Sequence, residues 1–215
     1  MVGVSKAFQP NKNVLKDIYL SFFYGAKIGI IGLNGSGKST LVDLLPRYHD
    51  VQEGDITIDG TSIRDVRIAD LRSLIGNVNQ EAILFNDTFF NNIAFGVENA
   101  TMEQVIEAAK IANAHDFIMK MEKGYDTELK EHGAGLSIGQ RQLIAFARTM
   151  ISMPKILILD EATSSIDTHT ELLVQQGIEA LLSGRTSFVI AHRLSTIQNA
   201  DRIFVIDKGG ILEQG

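Results

Sequence analysis

The sequence predicts an α/β fold: a mainly parallel sheet flanked by helices, with an antiparallel β lobe and a helical lobe. Three observations predict it. Residues 27–31 (KIGII) are a short apolar run that opens onto a glycine-rich loop and then a helix-period segment. Beyond that loop, apolar strand-like runs alternate with helical patterns, as parallel strands joined by crossovers require. Around it, residues 14–23 alternate in polarity and residues 56–58 run into Asp59-Gly60, which reads as antiparallel structure with a tight turn.

In chain order, residues 14–23 (VLKDIYLSFF) put Ile18, Leu20 and Phe22 on one face of a half-buried strand that leads through Tyr24-Gly25 to the run at 27–31. Residues 38–45 have helical spacing until Pro46 stops them. A short helix is expected at 67–74 and a strand at 75–79 that ends at Gln80. From Leu84 the texture turns aromatic and Asn-rich, then helical. Residues 84–152 are read as a helical lobe, and 1–83 with 153–215 as the core of one domain.

Two helix starts within that lobe carry capping boxes. Thr101 with Gln104 opens a helix bearing Val105, Ile106, Ala109 and Ala112, and Ser137 with Gln140 opens one bearing Leu143, Ile144, Ala147 and Met150. Pro154 ends the region. Residues 155–160 are a β run, Thr168 with Glu171 caps a further helix, and 186–191 is again a strand. A short helical stretch at 194–200, a strand at 202–207 and a turn at 208–210 lead to a last strand at 211–214.

With 215 residues, 45% of them hydrophobic, the chain can bury a full core. A net charge of -6 and no local cluster of Lys and Arg argue against a nucleic-acid surface. The absence of cysteine excludes disulfides and Cys-ligated zinc. The N-terminus lacks an apolar signal core and no run approaches the roughly 18 apolar residues of a membrane span, so a soluble chain without direct membrane insertion is expected. It stops at Gly215 just after a strand-like stretch, as expected of one domain cut from a longer protein.

Residues 32–40 read GLNGSGKST and fit G-x-x-x-x-G-K-[ST], with Gly32, Gly37, Lys38 and Ser39 in the fixed places and Gly35 in addition. A nest of backbone N–H groups that closes round a polyphosphate needs residues without a Cβ where the chain bends or approaches closely. A helix start directly behind the loop adds its dipole and unpaired amides. Gly32, Asn34, Gly35, Ser36, Gly37, Lys38, Ser39 and Thr40 are therefore the candidate phosphate-binding residues. Lys38 would reach the outer phosphates and the Ser39 hydroxyl would ligate Mg2+.

The strand at 156–159 ends in Asp160-Glu161. Alone, that is how a buried strand often leaves a sheet. Beside a phosphate loop it reads as a metal partner, Asp160, and a general base for the attacking water, Glu161.

GxxGxGKST, LSIGQ at residues 136–140 and the apolar strand ending in Asp160-Glu161, in this order, resemble the nucleotide-binding domain of the ATP-binding cassette (ABC) family, and the resemblance covers nearly the whole chain. It implies the ABC ATPase variant of the P-loop NTPase fold and Mg-dependent hydrolysis of ATP. It also implies a head-to-tail dimer in which the signature residues Ser137, Gly139 and Gln140 of one cassette meet ATP held by the other. Ile138 stands where the family usually has glycine.

The same resemblance assigns Gln80 to the metal and the attacking water, His192 to the γ-phosphate, and 163–167 (TSSID) to the dimer interface. Phe8 falls where an aromatic ring stacks on adenine. Glu161, His192, Gln80 and Lys38 are then the catalytic set, and Ser39, Gln80 and Asp160 the metal set.

Exporter cassettes are the closest overall match, which implies a transmembrane domain as partner at the cytoplasmic face of a membrane. Phe85, Phe89 and Phe90, and the run around Glu131, are candidates for meeting it, with ordinary core as the alternative for the phenylalanines. Residues 14–40 resemble soluble ribosome-associated cassettes more, which raises a soluble translation-associated ATPase, or a recombined or designed chain with no transport partner, as the alternative.

Overall fold

The computed structural model describes residues 1–9, 12–79, 81–160, 168–191 and 194–215. The first half runs β1 (Val2–Gln9), β2 (Lys12–Ile18), β3 (Lys27–Gly32), α1 (Lys38–Asp43), β4 (Glu53–Asp55), β5 (Thr57–Ile58), β6 (Thr61–Ser62), α2 (Ile68–Ser73), β7 (Ile75–Val78) and α3 (Phe89–Ala94). It continues with α4 (Met102–Ile111), α5 (His115–Ile118), α6 (Ile138–Met150), β8 (Ile156–Asp160), α7 (Thr168–Leu182), β9 (Thr186–Ile190), β10 (Arg202–Asp207) and β11 (Gly210–Gln214). Two compact units result, one from Met1–Ile75 with Arg185–Gly215, the other Gly76–Gly184.

In the first unit, β10, β3 and β9 are parallel neighbours and β11 pairs antiparallel on the outer side of β10. Ile28 and Ile30 on β3, Val189 and Ile190 on β9, and Phe204 and Ile206 on β10 are all buried, the near-continuous apolar character that a sheet covered on both faces demands. A separate antiparallel sheet has the order β2-β1-β4. The expected turn after Ile58 is present as the β5-β6 hairpin, with Asp59 and Gly60 both at positive φ, 49° and 80°.

One element is shorter than its pattern predicts. The alternation over 14–23 reads as a single strand, but β2 ends at Ile18. Asp17 sits at φ 51° and the pairing with β1 slips between Val4 and Lys6, so the ladder cannot continue. Leu20 is nevertheless buried, its N–H donating to Met1 O at 3.0 Å, and Phe22 packs edge-on against Phe188 and Phe204. The alternation there records burial without strand pairing.

In the second unit β7 and β8 are hydrogen-bonded neighbours, and α3, α4 and α7 pack against α6. Leu143, Ile144, Ala147 and Met150 of α6 are all buried, as are Val105, Ala109 and Ala112 of the α4 region, whereas Ile106, expected on the same face, is only half-buried. Gly177 of α7 allows a close crossing, because a Cβ there would stand 3.2 Å from the Phe146 ring and 3.3 Å from Ala112 O. Among the described residues, no helix is long and apolar enough to cross a membrane.

Candidate functional site

The candidate phosphate loop, residues 32–40, is held from both sides in the first unit. β3 delivers the chain at Gly32, where a Cβ would collide with the backbone carbonyl of Ile206 on β10 and come within 2.8 Å of Ser36 Oγ. Gly37 N-caps α1 at φ 107°, and a Cβ on it would lie 2.8 Å from Val14 O. Both positions need glycine, one for its lack of bulk and the other for its backbone angle as well. The loop closes on itself through Ser36 N to Leu33 O at 3.1 Å, and is tied to the β10-β11 turn by Gly209 N to Ser36 O at 3.0 Å.

Inside this frame Lys38 is only 6% exposed and folds back, its Nζ donating to Gly32 O at 2.5 Å and Leu33 O at 3.2 Å. Among the described residues no carboxylate pairs with it. Ser36 Oγ is buried with no hydrogen-bond partner there. No side chain caps α1, so its first-turn amides are left to a ligand or solvent. A nearly buried cation, an orphaned hydroxyl and uncapped amides in one glycine cradle fit an anionic polyphosphate. Ser39 and Asn34 are exposed at the rim and Thr40 is half-buried, so Ser39 is open to a metal ion.

Phe8 lies on β1 in the same unit, 51% exposed. The His49 ring meets it edge-on with centroids 4.9 Å apart, and Lys6 Nζ is 5.1 Å from its centre. The ring is braced and still offers surface for stacking.

Asp160 and the signature residues belong to the second unit. Asp160 ends β8, half-buried, after the fully buried Leu157, Ile158 and Leu159. Ser137 caps α6 reciprocally with Gln140: Gln140 N donates to Ser137 Oγ at 3.1 Å and Ser137 N to Gln140 Oε1 at 3.0 Å. Ser137 and Ile138 are exposed and Gly139 is buried. Gln80, Glu161, His192 and the run 163–167 lie outside the described residues.

Of the three phenylalanines expected to meet a partner, Phe89 is fully buried and belongs to the core, whereas Phe85 is 38% exposed and stacks near Phe95, which is 58% exposed. Phe95 carries no motif, and neither do Asn92 and Arg148, which organise this region. A usable signal was present for Arg148: it stands four residues after Ile144 on the apolar stripe of α6, where a cation needs partners. Glu131 lines a recess of about 310 Å³ with Asn86, Asp87, Glu128, Leu129 and Lys130.

A family model for "ABC transporter" matches residues 15–164. The chain belongs to the ABC transporter family. It is 54% identical over 202 residues to an ATP-dependent lipid A-core flippase of Syntrophus aciditrophicus (strain SB), covering 94% of this chain and 34% of that protein. It is 50% identical over 214 residues to ABC transporter B family member 2 of Dictyostelium discoideum, covering 100% of this chain and 15% of that one.

The solved structure of a bacterial Atm1-family ABC exporter with ATP bound superposes with a TM-score of 0.91 at 42% identity, over 100% of this chain and 37% of the exporter chain. The chain thus spans about a third or less of the length of these relatives. The exporter likeness includes residues 14–40, so the ribosome-associated alternative is not favoured. The ABC ATPase fold expected from the motifs is the fold observed.

Proposed function

We propose that this ABC cassette is the ATP-hydrolysing domain of an exporter, pairing head to tail with a second cassette and driving a transmembrane domain at the cytoplasmic face of a membrane. The observation that carries it is Lys38, a nearly buried ammonium held by two carbonyls of its own glycine loop. Such a cation is poised for a polyanion, since moving onto the β- and γ-phosphates replaces neutral acceptors with charged ones. Residues 1–83 and 153–215 form the catalytic core in this reading, and 84–152 the helical lobe that carries the signature.

Ser39, Asp160 and Gln80 would hold Mg2+, which neutralises charge on the β- and γ-phosphate oxygens when bound. Glu161 takes a proton from the water whose oxygen attacks the γ-phosphorus. The bond to the bridging oxygen breaks with its electron pair staying on ADP, and phosphate leaves. His192 holds the γ-phosphate in position. Phe8 stacks on the adenine, for which about 1 to 3 kcal/mol is typical of a base on an aromatic ring.

Ser137 and Gly139 of the second cassette close the far side of the ATP. Hydrolysis removes charge that bridges the two copies and so shifts the population to the open state. The exposed Phe85 and Phe95 and the recess at Glu131 are the surface offered to the transmembrane domain.

The test is size-exclusion chromatography of Glu161→Gln protein with and without Mg-ATP. A shift to twice the mass only with Mg-ATP is expected. A monomer in both conditions, at nucleotide concentrations shown by titration to saturate the site, removes the paired-cassette reading.

A further inference from the structure

Arg148 makes three hydrogen bonds and lies against two aromatic rings, and nothing in the hydrolytic reading uses it. It lies on α6 eleven residues after Ser137 and its guanidinium faces inward. Nε donates to Asn92 O at 2.7 Å, Nη2 to Asn92 Oδ1 at 3.0 Å and Nη1 to Ile83 O at 2.8 Å. Its Cζ also lies 5.0 Å from the centre of the Phe85 ring and 5.7 Å from that of Phe95. Burial pushes its pKa below the usual arginine value, yet no carboxylate pairs with it among the described residues.

Its acceptor is itself fixed. Asn92 is fully buried; its Oδ1 also accepts from Phe85 N at 2.8 Å, and its Nδ2 donates to Phe85 O and Thr88 O, each at 3.0 Å. One amide therefore gathers the turn at 85–88 and hands it to one guanidinium. On its far side the same segment is tied down by His132 Nδ1 donating to Leu84 O at 2.9 Å and by Leu129 N donating to Asp87 O at 2.9 Å.

An apolar side chain would fill this space at lower desolvation cost. What a planar fork adds is direction, because two carbonyls nine residues apart in the chain and an amide oxygen must keep their places relative to the helix axis for all three bonds to persist. A helix of 13 residues is about 20 Å long, so a tilt imposed at Arg148 reaches Ser137 with little loss.

We infer that Arg148 is a positioning residue that fastens residues 83–95 to the signature helix, so that a displacement of the exposed Phe85-Phe95 face turns α6 and carries the signature residues with it. This rests on the hydrolytic reading above. Its effect belongs to closure of the cassette pair and not to nucleotide capture, since Arg148 is remote in sequence from the phosphate loop and makes its bonds within the second unit. Arg148 therefore separates turnover from binding.

The chain contains no tryptophan, so Phe95→Trp provides a single reporter beside the guanidinium. In a Glu161→Gln background the reporter emission is expected to change when Mg-ATP closes the pair. Adding Arg148→Met should abolish that change while a fluorescent ATP analogue binds within about twofold of the parent affinity. With Glu161 present, Arg148→Met should lower kcat about tenfold or more at a KM within about twofold.

Arg148→Lys should restore less than half of each effect, because an ammonium cannot span the three acceptors, and it serves as the test if Arg148→Met fails to fold. An unchanged emission response with kcat within twofold overturns the inference, and so does a parent reporter that binds nucleotide without any emission change. Failure of the parent to bind the analogue at all sinks the hydrolytic reading instead.

Discussion

The ammonium of Lys38 and the carbonyl of Gly32 are 2.5 Å apart, so the candidate phosphate loop holds its own cation. Two carbonyls share that charge, and the hydroxyl of Ser36 in the same loop is buried without a partner among the described residues. Lys38→Ala removes the cation and leaves two carbonyls facing the phosphates. Loss of a charge-assisted hydrogen bond of about 1.5 to 3 kcal/mol predicts ATP affinity weaker by roughly 10- to 150-fold. Isothermal titration checks this, and an unaltered Kd would remove Lys38 from the site.

How far the sequence reveals such a site depends on the range of the forces involved. The glycine loop and both capping boxes are local chemistry, settled by residues within a few positions of each other, and Thr101, Ser137, Gly37 and Lys38 stand where their neighbours require. The end of β2 was hidden because burial of Leu20 and Phe22 imitates strand alternation, while the decisive event is a backbone angle at Asp17. The Arg148-Asn92 contact joins positions 56 apart, and the Arg148-Ile83 contact positions 65 apart. Such pairings follow from how α6 packs against α3, which no local pattern encodes.

Glu161 follows the buried strand β8 and its proposed task is to accept a proton from water. Replacing it with Gln keeps size and hydrogen bonding but removes basicity. General-base catalysis typically contributes about 100- to 10,000-fold, so Glu161→Gln should lower kcat by at least about 100-fold while ATP affinity stays within about threefold. Steady-state phosphate release measures it. Turnover near that of the parent would mean that another group takes the proton.

Ser137 has two tasks, and a second helix separates them. Ser137 caps α6 and Thr101 caps α4 through the same reciprocal pair of bonds. Ser137→Ala and Thr101→Ala should each cost about 1 kcal/mol of stability, the usual worth of a cap. Only Ser137→Ala should also slow ATP turnover, because only its hydroxyl is proposed to meet a partner's nucleotide. Chemical denaturation together with hydrolysis assays compares the two, and equal losses of turnover would reduce Ser137 to a cap.

Tyr125 supplies a pH dependence with a definite sign. Its side chain is buried, its hydroxyl lies 2.9 Å from His115 Nδ1, and burial pushes its pKa from 10.0 up to about 12. The folded state holds the proton after the unfolded chain has released it. The contribution to stability is therefore complete below about pH 10 and is lost as pH rises from there towards 12. Ultraviolet titration of phenolate should show the highest-pH component of the parent missing from Tyr125→Phe. The stability of the parent relative to that variant should also fall across the same window, since Phe has no proton to lose. Loss in Tyr125→Phe of a component that titrates near pH 10 instead would show that the phenol at position 125 is open to solvent and that its burial does not govern its ionisation.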